Sequence, residues 1–437
     1  MWVRMRLDIS WSDLAWGLCR CITAGGTQAA IEAVERQWSN DGDALACLSV
    51  RSGFDLLLEA LDLPPGSEVL ITAISIPDMV RIIESHGLVP VPIDLRESDL
   101  APDGDALRSA ISPQTRALVV THLLGGRVRM DPIFELAQQH GLAVIEDCAQ
   151  AYVGPAYRGD PRSLAAMFSF GTIKTDTALG GALLRVGEPE LLAAMRTQQA
   201  SYPRQSRSKY LRRLGKYALL KALTPRAVFA TLIRVCRAIG IDHNRAITNT
   251  VRGFSGSELF KQIRRRPSAP LLALLGRRLR RFDEAKLARR AAQGERLANL
   301  IGARVARPGA EMDRRTYWVF PVLAEQVEGL IAALAAGGFD ATRGERLCIV
   351  DPPEDRPHLE PAAARAILAH SVFLPCTTSM PDRTLGQMAE VIAAHCGLPL
   401  PRLGPVADGD VDGLPLAGTD DNHFGDRTDF GFSHGKT

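Results

Sequence analysis

From about residue 45 to residue 200, the chain alternates short apolar runs with amphipathic stretches. The strand-like runs are 68–74, 89–94, 117–122, 143–147, 165–170 and 181–186. The helix-like stretches between them include 53–61, 78–86, 103–111 and 131–140. Several of the runs are apolar throughout, which is typical of strands that are buried on both faces. This alternation predicts an α/β fold in which a mostly parallel sheet lies between layers of helices.

Polar side chains close three of these apolar runs. His122, Asp147 and Ser169 each stand at the end of a predicted strand. In open α/β sheets, ligands bind at the carboxyl ends of the strands. We therefore expect the functional site at this edge of the sheet.

Residues 201–265 interrupt the alternation with a basic insertion. The segment 201–270 contains 16 Lys and Arg but only 2 Asp and Glu, whereas the whole chain has a net charge of +3. Such a concentration of positive charge usually meets something anionic.

The insertion contains two amphipathic stretches, 208–223 and 226–239. The apolar face of the first consists of Tyr210, Leu211, Leu214, Tyr217 and Ala218. The second opposes an apolar face, which includes Phe229, Leu232 and Ile233, to arginines. Basic residues and Pro225 interrupt both stretches, so neither has an apolar run long enough to cross a bilayer. Two interpretations stay open: the helices cover the core of this or a partner subunit, or 205–245 lies on an anionic membrane.

The rest of the chain predicts a smaller domain and a tail. We interpret residues 1–200 as an N-terminal arm and a large domain. Residues 266–400, which follow the basic insertion, look like a smaller α+β domain. Its elements are a long helix at 271–303, a strand at 316–323, a helix at 327–336, a short run at 371–375 and a helix at 384–396. The tail 401–437 is rich in Gly and Asp without periodicity, which predicts disorder.

Composition narrows the class of protein. Apolar residues make up 46% and charged residues 23%, as in ordinary globular proteins, and the small net charge gives no reason to expect nucleic acid.

The eight cysteines include no CxxC pair, which favours a reducing compartment, and no histidine pattern indicates a metal. Charged residues interrupt the first apolar stretch, so we expect no signal peptide and a cytoplasmic protein.

Lys174 is the only lysine in the first 208 residues, a region that contains many arginines. It lies in Phe168-Ser169-Phe170-Gly171-Thr172-Ile173-Lys174 and is followed by Gly180-Gly181. A lysine amine can lose its proton and form an imine, whereas a guanidinium effectively cannot. This contrast indicates a chemical role for Lys174.

Two further motifs fit the same chemistry. Asp147 ends an apolar strand, where a buried acid requires a cation or hydrogen-bond donors. A pyridinium nitrogen would be such a partner, and the acid would keep it protonated. The run Ser49-Val50-Arg51-Ser52-Gly53 precedes a helix, so hydroxyls, a guanidinium and free N–H groups could cradle a phosphate. Together these motifs predict pyridoxal 5'-phosphate as the cofactor.

At these residues the sequence resembles the DegT/DnrJ/EryC1/StrS family of sugar aminotransferases. The resemblance covers roughly residues 15–200 and 266–396, and it is most specific in "VIEDCAQA", "MFSFGTIKT" and "GSEVLITAISIPDMVRIIESHGLVPVPIDL". It implies the fold type I architecture of pyridoxal-phosphate enzymes, in which a mostly parallel seven-stranded sheet lies between helices and a smaller C-terminal domain follows.

The resemblance also implies a role for individual residues. Lys174 would be the Schiff-base lysine, and Asp147 would bind the pyridine nitrogen. Gln150 would bond the ring hydroxyl, and Ser169 would bind the phosphate. Arg51 and Ser52 fall at the family's phosphate turn.

Two positions depart from the family. Ile76 stands where the family usually stacks an aromatic side chain on the cofactor ring. Arg264 stands where the family often has an Asn that the neighbouring subunit contributes, so it would be a substitute cation for the partner's phosphate or part of the basic insertion.

The predicted activity is the transfer of an amino group from a donor such as glutamate to a nucleotide-linked keto-sugar by a homodimer. Two alternatives remain. The acceptor could be lipid-linked or otherwise free of nucleotide at a membrane surface, or the chain could be an inactive regulatory member of the fold. Lys174 argues against the second alternative, because a chain without imine chemistry has no evident reason to keep this one lysine.

Overall fold

The computed structural model describes residues 1–3, 7–23, 25–225, 227–229, 231, 258–303, 305–344 and 346–396. The tail predicted at 401–437 lies outside these residues, as does most of the helix predicted at 226–239. Among the described residues, no helix is long and apolar enough to cross a membrane.

A seven-stranded sheet forms the centre of the fold. The strands of the protein are β1 (Ala44–Cys47), β2 (Glu68–Thr72), β3 (Ile74–Ser75), β4 (Val89–Ile93), β5 (Thr115–Thr121), β6 (Ala143–Asp147), β7 (Ala165–Ser169), β8 (Ala182–Val186), β9 (Phe320–Leu323), β10 (Cys348–Ile349) and β11 (Ser371–Leu374). The order in the large sheet is β1-β8-β7-β6-β5-β2-β4. Strands β4, β2, β5, β6 and β7 are parallel, and β8 runs antiparallel between β7 and β1. The mostly parallel α/β sheet expected from the sequence is confirmed.

Helices cover both faces of this sheet. They are α1 (Trp11–Thr23), α2 (Thr27–Trp38), α3 (Val50–Leu61), α4 (Pro77–Ser85), α5 (Gly104–Ala110), α6 (Asp131–His140), α7 (Pro189–Ser201), α8 (Arg207–Ala222), α9 (Leu259–Ile263), α10 (Ala269–Arg280), α11 (Glu284–Ile301), α12 (Val327–Ala336), α13 (Ala362–His370) and α14 (Asp382–His395). Neighbouring strand residues point to opposite faces: Leu184 packs with α3, α4 and α7, whereas Leu183 packs with α1, α2, α8 and α10.

The sequence analysis did not predict strand β1. It has only four residues, and their side chains are all buried. A run this short has no readable period, and its pairing with β8 establishes it as a strand.

The C-terminal region corrects two expectations. The single helix predicted at 271–303 is wrong, because α10 ends at Arg280 and α11 begins after Asp283, whose side chain accepts the Lys286 N–H as an N-cap. The strand predicted at 316–323 covers only Phe320–Leu323, because Tyr317 has a φ of 46°, which is incompatible with extended backbone. Strand β9 pairs with β11, and β10 pairs antiparallel with β3 beside the large sheet.

The first helix of the basic insertion covers the core of this chain. Helix α8 buries Tyr210, Leu214 and Tyr217 against a cluster that includes α1 and α10 residues. Leu211, which we assigned to the same apolar face, is exposed, because it lies about 100° around the helix from Tyr210. Phe229 is also buried and packs against Val3.

Candidate active site

The carboxyl ends of β5, β6 and β7 bring together the three residues that the sequence placed at strand ends. These strands are neighbours in the sheet. The His122 N–H donates to the Asp147 carbonyl oxygen at 3.0 Å, and Ser169 ends the adjacent β7. The three residues therefore lie at the same edge of the sheet.

Lys174 lies on a tight turn directly after β7. Its N–H donates to the Gly171 carbonyl at 3.0 Å, and the Gly171 N–H donates to Ser169 Oγ at 3.3 Å. Burial and the positive charges of Arg51 and Arg346 lower the pKa of the Lys174 amine to about 8, although Asp147 opposes this effect. About one tenth of an amine with this pKa is neutral at pH 7, far more than of an ordinary lysine, and this neutral fraction can act as a nucleophile.

Asp147 is buried at the end of β6. Burial raises the pKa of its carboxyl, while a 2.9 Å hydrogen bond from the Ala149 N–H to Oδ1 and the charge of Lys174 oppose the shift. A positive ring nitrogen beside this carboxylate would compensate the cost of burying its charge.

The N-terminus of α3 approaches the same region. Ser49 is the N-cap, and its side-chain oxygen accepts the Ser52 N–H at 3.2 Å. Arg51 Nε donates to Asp78 Oδ2 at 2.5 Å, which ties α3 to α4. A Cβ at Gly53 would lie 2.5 Å from Leu184, so only glycine lets α3 pack this closely on the sheet.

Gln150 and Ile76 are both partly buried near these strand ends. Gln150 Oε1 accepts the Leu124 N–H at 2.9 Å, which orients the side chain. Ile76 is the N-cap of α4 and follows β3, whose Ser75 pairs with Cys348. The Ile76 side chain packs against the buried cluster that includes Met79 and Val350, and its contact with a cofactor ring stays a prediction.

The sequence analysis missed two residues that the C-terminal region contributes. The Lys174 Nζ atom lies 4.1 Å from the centre of the Trp318 ring. Arg346 lies close enough to lower the pKa of the same amine, and it precedes β10. No local pattern marks either residue, because both reach the site through contacts far apart in sequence.

The turn that carries Lys174 is held by several groups of the C-terminal region. Trp318 Nε1 donates to the Ile173 carbonyl at 2.9 Å. Arg290 donates from Nη1 to Thr175 Oγ1 at 3.2 Å and from Nε to the Thr316 carbonyl at 2.7 Å. Burial lowers the pKa of Arg290 to about 10.

The N-terminal arm holds the next residue of the turn. The Asp176 N–H donates to Asp8 Oδ2 at 2.9 Å, and Arg278 Nη2 lies 2.7 Å from Asp176 Oδ1. Asp176 Oδ2 is buried without a hydrogen-bond partner. Burial raises the pKa of Asp176 to about 7, although Arg278 opposes the shift. Arg278 also pairs with Asp13 at 2.7 Å, so several carboxylates share its charge.

One cluster among the described residues has the composition of a metal site. The possible ligand atoms of His122, Glu146 and Cys148 lie within 4.8 Å of one another. However, His122 Nε2 lies 2.9 Å from Glu146, and Nδ1 accepts the Val128 N–H at 3.0 Å. Burial also raises the pKa of the Cys148 thiol well above its usual range. Hydrogen bonding therefore accounts for this cluster, with a neutral imidazole that donates from Nε2.

Arg264 has a partner within its own chain. Its Nε and Nη2 atoms each donate to the Asp55 carboxylate at 2.9 Å, and the guanidinium lies 5.0 Å from the Phe260 ring centre. Burial alone would raise the pKa of Asp55, but hydrogen bonds from His86 and Arg264 lower it. The role expected toward a partner's phosphate stays a prediction.

The residues present fit pyridoxal phosphate. An amine of lowered pKa, a buried carboxylate and a capped helix N-terminus lie on elements that adjoin one another. A Cβ on Gly171 would lie 3.4 Å from Ser169 Oγ and 3.8 Å from the Lys174 side chain, so the glycine keeps the space beside both open.

Comparison with known protein families also indicates pyridoxal-phosphate chemistry. The DegT/DnrJ/EryC1/StrS aminotransferase family matches residues 19–220, which include the whole seven-stranded sheet. This match confirms the family recognition made from the sequence, and with it the enzyme class and the cofactor, because this family consists of pyridoxal-phosphate-dependent aminotransferases.

Solved structures share the fold over nearly the whole chain. The aminotransferase TlmJ from Streptoalloteichus hindustanus is 19% identical with a TM-score of 0.65, and the match covers 91% of this chain and 99% of TlmJ. The sugar aminotransferase CalS13 from Micromonospora echinospora is 18% identical with a TM-score of 0.61, covering 90% and 100%. 3-Amino-5-hydroxybenzoic acid synthase is 20% identical with a TM-score of 0.65, covering 90% and 98%. At these identities the likeness establishes the fold.

Proposed function

We propose that this chain, whose residues 19–220 belong to the DegT/DnrJ/EryC1/StrS aminotransferase family, transfers an amino group from glutamate to a nucleotide-linked keto-sugar. The observation that carries the proposal is the combination of Lys174, with an amine pKa of about 8, and the buried carboxyl of Asp147. One of the structural neighbours, CalS13, is a sugar aminotransferase, which supports a sugar as the acceptor.

The residues of the chain take the following roles. Bound pyridoxal phosphate supplies an aldehyde for imine chemistry and a ring that accepts the electron pair left when a C–H proton departs. Lys174 would hold the cofactor through its amine and would move the proton at the donor α-carbon. Asp147 keeps the ring nitrogen protonated.

Other side chains bind and orient the cofactor. Arg51, Ser52 and Ser169 bind its phosphate, with the N-terminus of α3 adding its positive dipole end. Gln150 bonds the ring hydroxyl, and Ile76 packs against one face of the ring. Arg346 provides a cation beside Lys174 that suits a carboxylate of the amino donor.

Two finer features belong to the same proposal. The active unit is a homodimer in which Arg264 or a neighbouring residue contacts the partner's phosphate. The protein works in the cytoplasm, with peripheral contact to the membrane through 205–245. The basic helix α8, which carries no acidic residue, favours a second candidate acceptor: a lipid-linked keto-sugar at the membrane surface.

A two-step absorbance experiment tests the proposal. The purified protein loaded with pyridoxal phosphate is mixed with glutamate, and 2-oxoglutarate is measured in the product. The aminated enzyme is then separated and mixed with a nucleoside-diphosphate keto-sugar, with a lipid-linked keto-sugar or with the same keto-sugar free of both groups.

We expect one equivalent of 2-oxoglutarate per site and recovery of the original spectrum with the nucleotide-linked acceptor alone. Recovery only with a lipid-linked acceptor would select the second candidate. A spectrum that does not respond to any amino donor would support the inactive regulatory protein instead.

A further inference from the structure

Helix α1 presents an apolar outward face. Its residues Leu14, Gly17 and Cys21 are buried, whereas Trp11 is 54% and Ile22 is 82% exposed. Ala15, which lies between them on the same side at a spacing of four and seven residues, is exposed as well. This stripe contains no charged residue.

Helix α8 lies beside α1 and runs in the opposite direction. Arg207 Nη2, at the start of α8, donates to the Gly25 carbonyl just after the end of α1, at 3.2 Å. At the other end, Lys221 Nζ lies 5.8 Å from the Trp11 ring centre. The two helices touch in the middle, where a Cβ on Gly17 would lie 3.1 Å from Leu214.

The outward side of α8 carries two exposed leucines and several cations. Leu211 is 42% and Leu219 is 64% exposed, and their spacing of eight residues puts them on one side of the helix. The exposed basic residues of α8 are Arg207, Lys209, Arg212 and Lys216. The sequence has no Asp or Glu from residue 191 to residue 241, so this segment itself contributes no negative charge to the surface.

We propose that the outward faces of α1 and α8 together form a docking surface for a membrane of anionic phospholipid. Apolar side chains of α1 and the Leu211–Leu219 side of α8 would enter the interface, and Trp11 would lie at the level of the headgroups. Lys209, Arg212 and Lys216 would bind lipid phosphates, since long basic side chains reach polar groups from a helix that lies in the interface.

The positive charge of this surface favours an anionic membrane over a second copy of this chain as its binding partner. A two-fold interface through this face would bring one patch against its own copy. The cations of one α8 would then lie near those of the other with no acid of the segment between them, and like charges across an interface are unfavourable. An anionic bilayer is complementary to the same cations.

The proposal is independent of the substrate, so it is tested separately from catalysis. Full-length protein is mixed with vesicles of phosphatidylglycerol and phosphatidylcholine, or with vesicles of phosphatidylcholine alone, and the bound fraction is measured by flotation. We expect binding to the anionic vesicles at low salt, at least tenfold loss at high salt and little binding to the neutral vesicles. Trp11→Phe should lose most of the blue shift in tryptophan emission that accompanies binding.

Point variants test each half of the surface while α8 still covers the core. Ile22→Glu with Leu219→Glu removes the apolar part, and Arg212→Glu with Lys216→Glu reverses the charge; each pair should lower vesicle binding at least tenfold. Arg108→Glu with Arg289→Glu makes the same change of charge at exposed positions on α5 and α11 and should leave binding unchanged. The glutamate half-reaction should be unaltered in all of these variants.

Several outcomes would overturn the proposal. One is wild-type protein that stays unbound with anionic vesicles at low salt. Another is binding that the Arg108→Glu and Arg289→Glu control lowers as much as the α8 pair. A third is dissociation of a dimer by Ile22→Glu with Leu219→Glu in light scattering, which would make this face a subunit interface.

Discussion

The Lys174 Nζ atom lies 4.1 Å from the centre of the Trp318 indole ring, although 144 positions separate the two residues in the sequence. The indole also donates from Nε1 to the Ile173 carbonyl, next to Lys174. The ring face stabilises the charged form of the amine, whereas burial and two arginines favour the neutral form. The C-terminal region thus forms part of the environment that determines the reactivity of Lys174.

Borohydride reduction of the loaded protein should attach the cofactor to a peptide that contains Lys174. The Lys174 side chain is partly buried and its pKa is lowered to about 8, so this lysine is well suited to form an imine. Mass spectrometry of the digested protein identifies the site. Lys174→Met should abolish the label, while Lys209→Met, which changes an exposed lysine of α8, should keep it. Label on another lysine would contradict the assignment.

Asp147→Asn should retain the cofactor but lose at least 100-fold in transamination rate. An amide cannot hold the pyridinium proton by charge, while the phosphate contacts are untouched; proton-transfer contributions of this kind are commonly 10²–10⁴-fold. Steady-state kinetics together with a cofactor titration measure both effects. Activity within a few-fold of wild type would identify Asp147 as a structural acid.

Arg346→Met should raise the pKa of Lys174. The positive charge of Arg346 disfavours the ammonium form, so its removal moves the pKa upward from about 8. In protein freed of cofactor, the rate of covalent attachment depends on the neutral amine, and its pH midpoint should shift to higher pH. Arg343→Met is the matched control, because this exposed arginine pairs with Glu328. An unmoved midpoint in the Arg346 variant would place its charge outside the site.

Asp13→Asn should destabilise the folded protein by about 2 kcal/mol at pH 7. Burial alone would raise the pKa of Asp13, but hydrogen bonds from Ser10 and Arg277 and the charge of Arg278 lower it to about 2 from 3.8. Because the pKa is lower in the folded state, the carboxylate stabilises the fold above about pH 4, and this contribution is lost as the pH falls through about 2. Urea unfolding at several pH values should therefore show a difference that shrinks below about pH 4.

The control for this stability experiment is Asp105→Asn, because Asp105 pairs with Arg108 on the surface. Exposed ion pairs contribute less than about 1 kcal/mol, so this variant should unfold nearly as the wild type does. A loss in Asp13→Asn that does not vary with pH would indicate a packing defect.

Light scattering of the loaded protein should give the mass of a homodimer. Arg264→Met should weaken cofactor binding more than Asp55→Asn does, if Arg264 contacts the partner's phosphate in addition to its own Asp55. Equal effects of the two variants would mean that Arg264 acts only through the pair with Asp55 that this chain contains. An active monomer would contradict the proposal directly.

The sequence alone was sufficient to predict the elements whose hydrophobic pattern has a strong local period. Strands β2 and β4 to β8 appear within a few residues of their apolar runs, because a strand buried on both faces requires apolar side chains throughout. Lys174 stood out chemically, since no other lysine precedes residue 209. The strand-end positions of His122, Asp147 and Ser169 followed from the topology of parallel sheets.

Tertiary structure alone decided which distant groups complete the site. Trp318 and Arg346 lie in segments with little regular structure, and contacts such as the 2.9 Å hydrogen bond from the Thr316 N–H to the Gly125 carbonyl hold that region against the strand ends. The strand β1 and the Arg264–Asp55 pair likewise depend on packing between elements. Local periodicity reports which face of an element is buried, but the partner of that face is determined by the free energy of the whole fold.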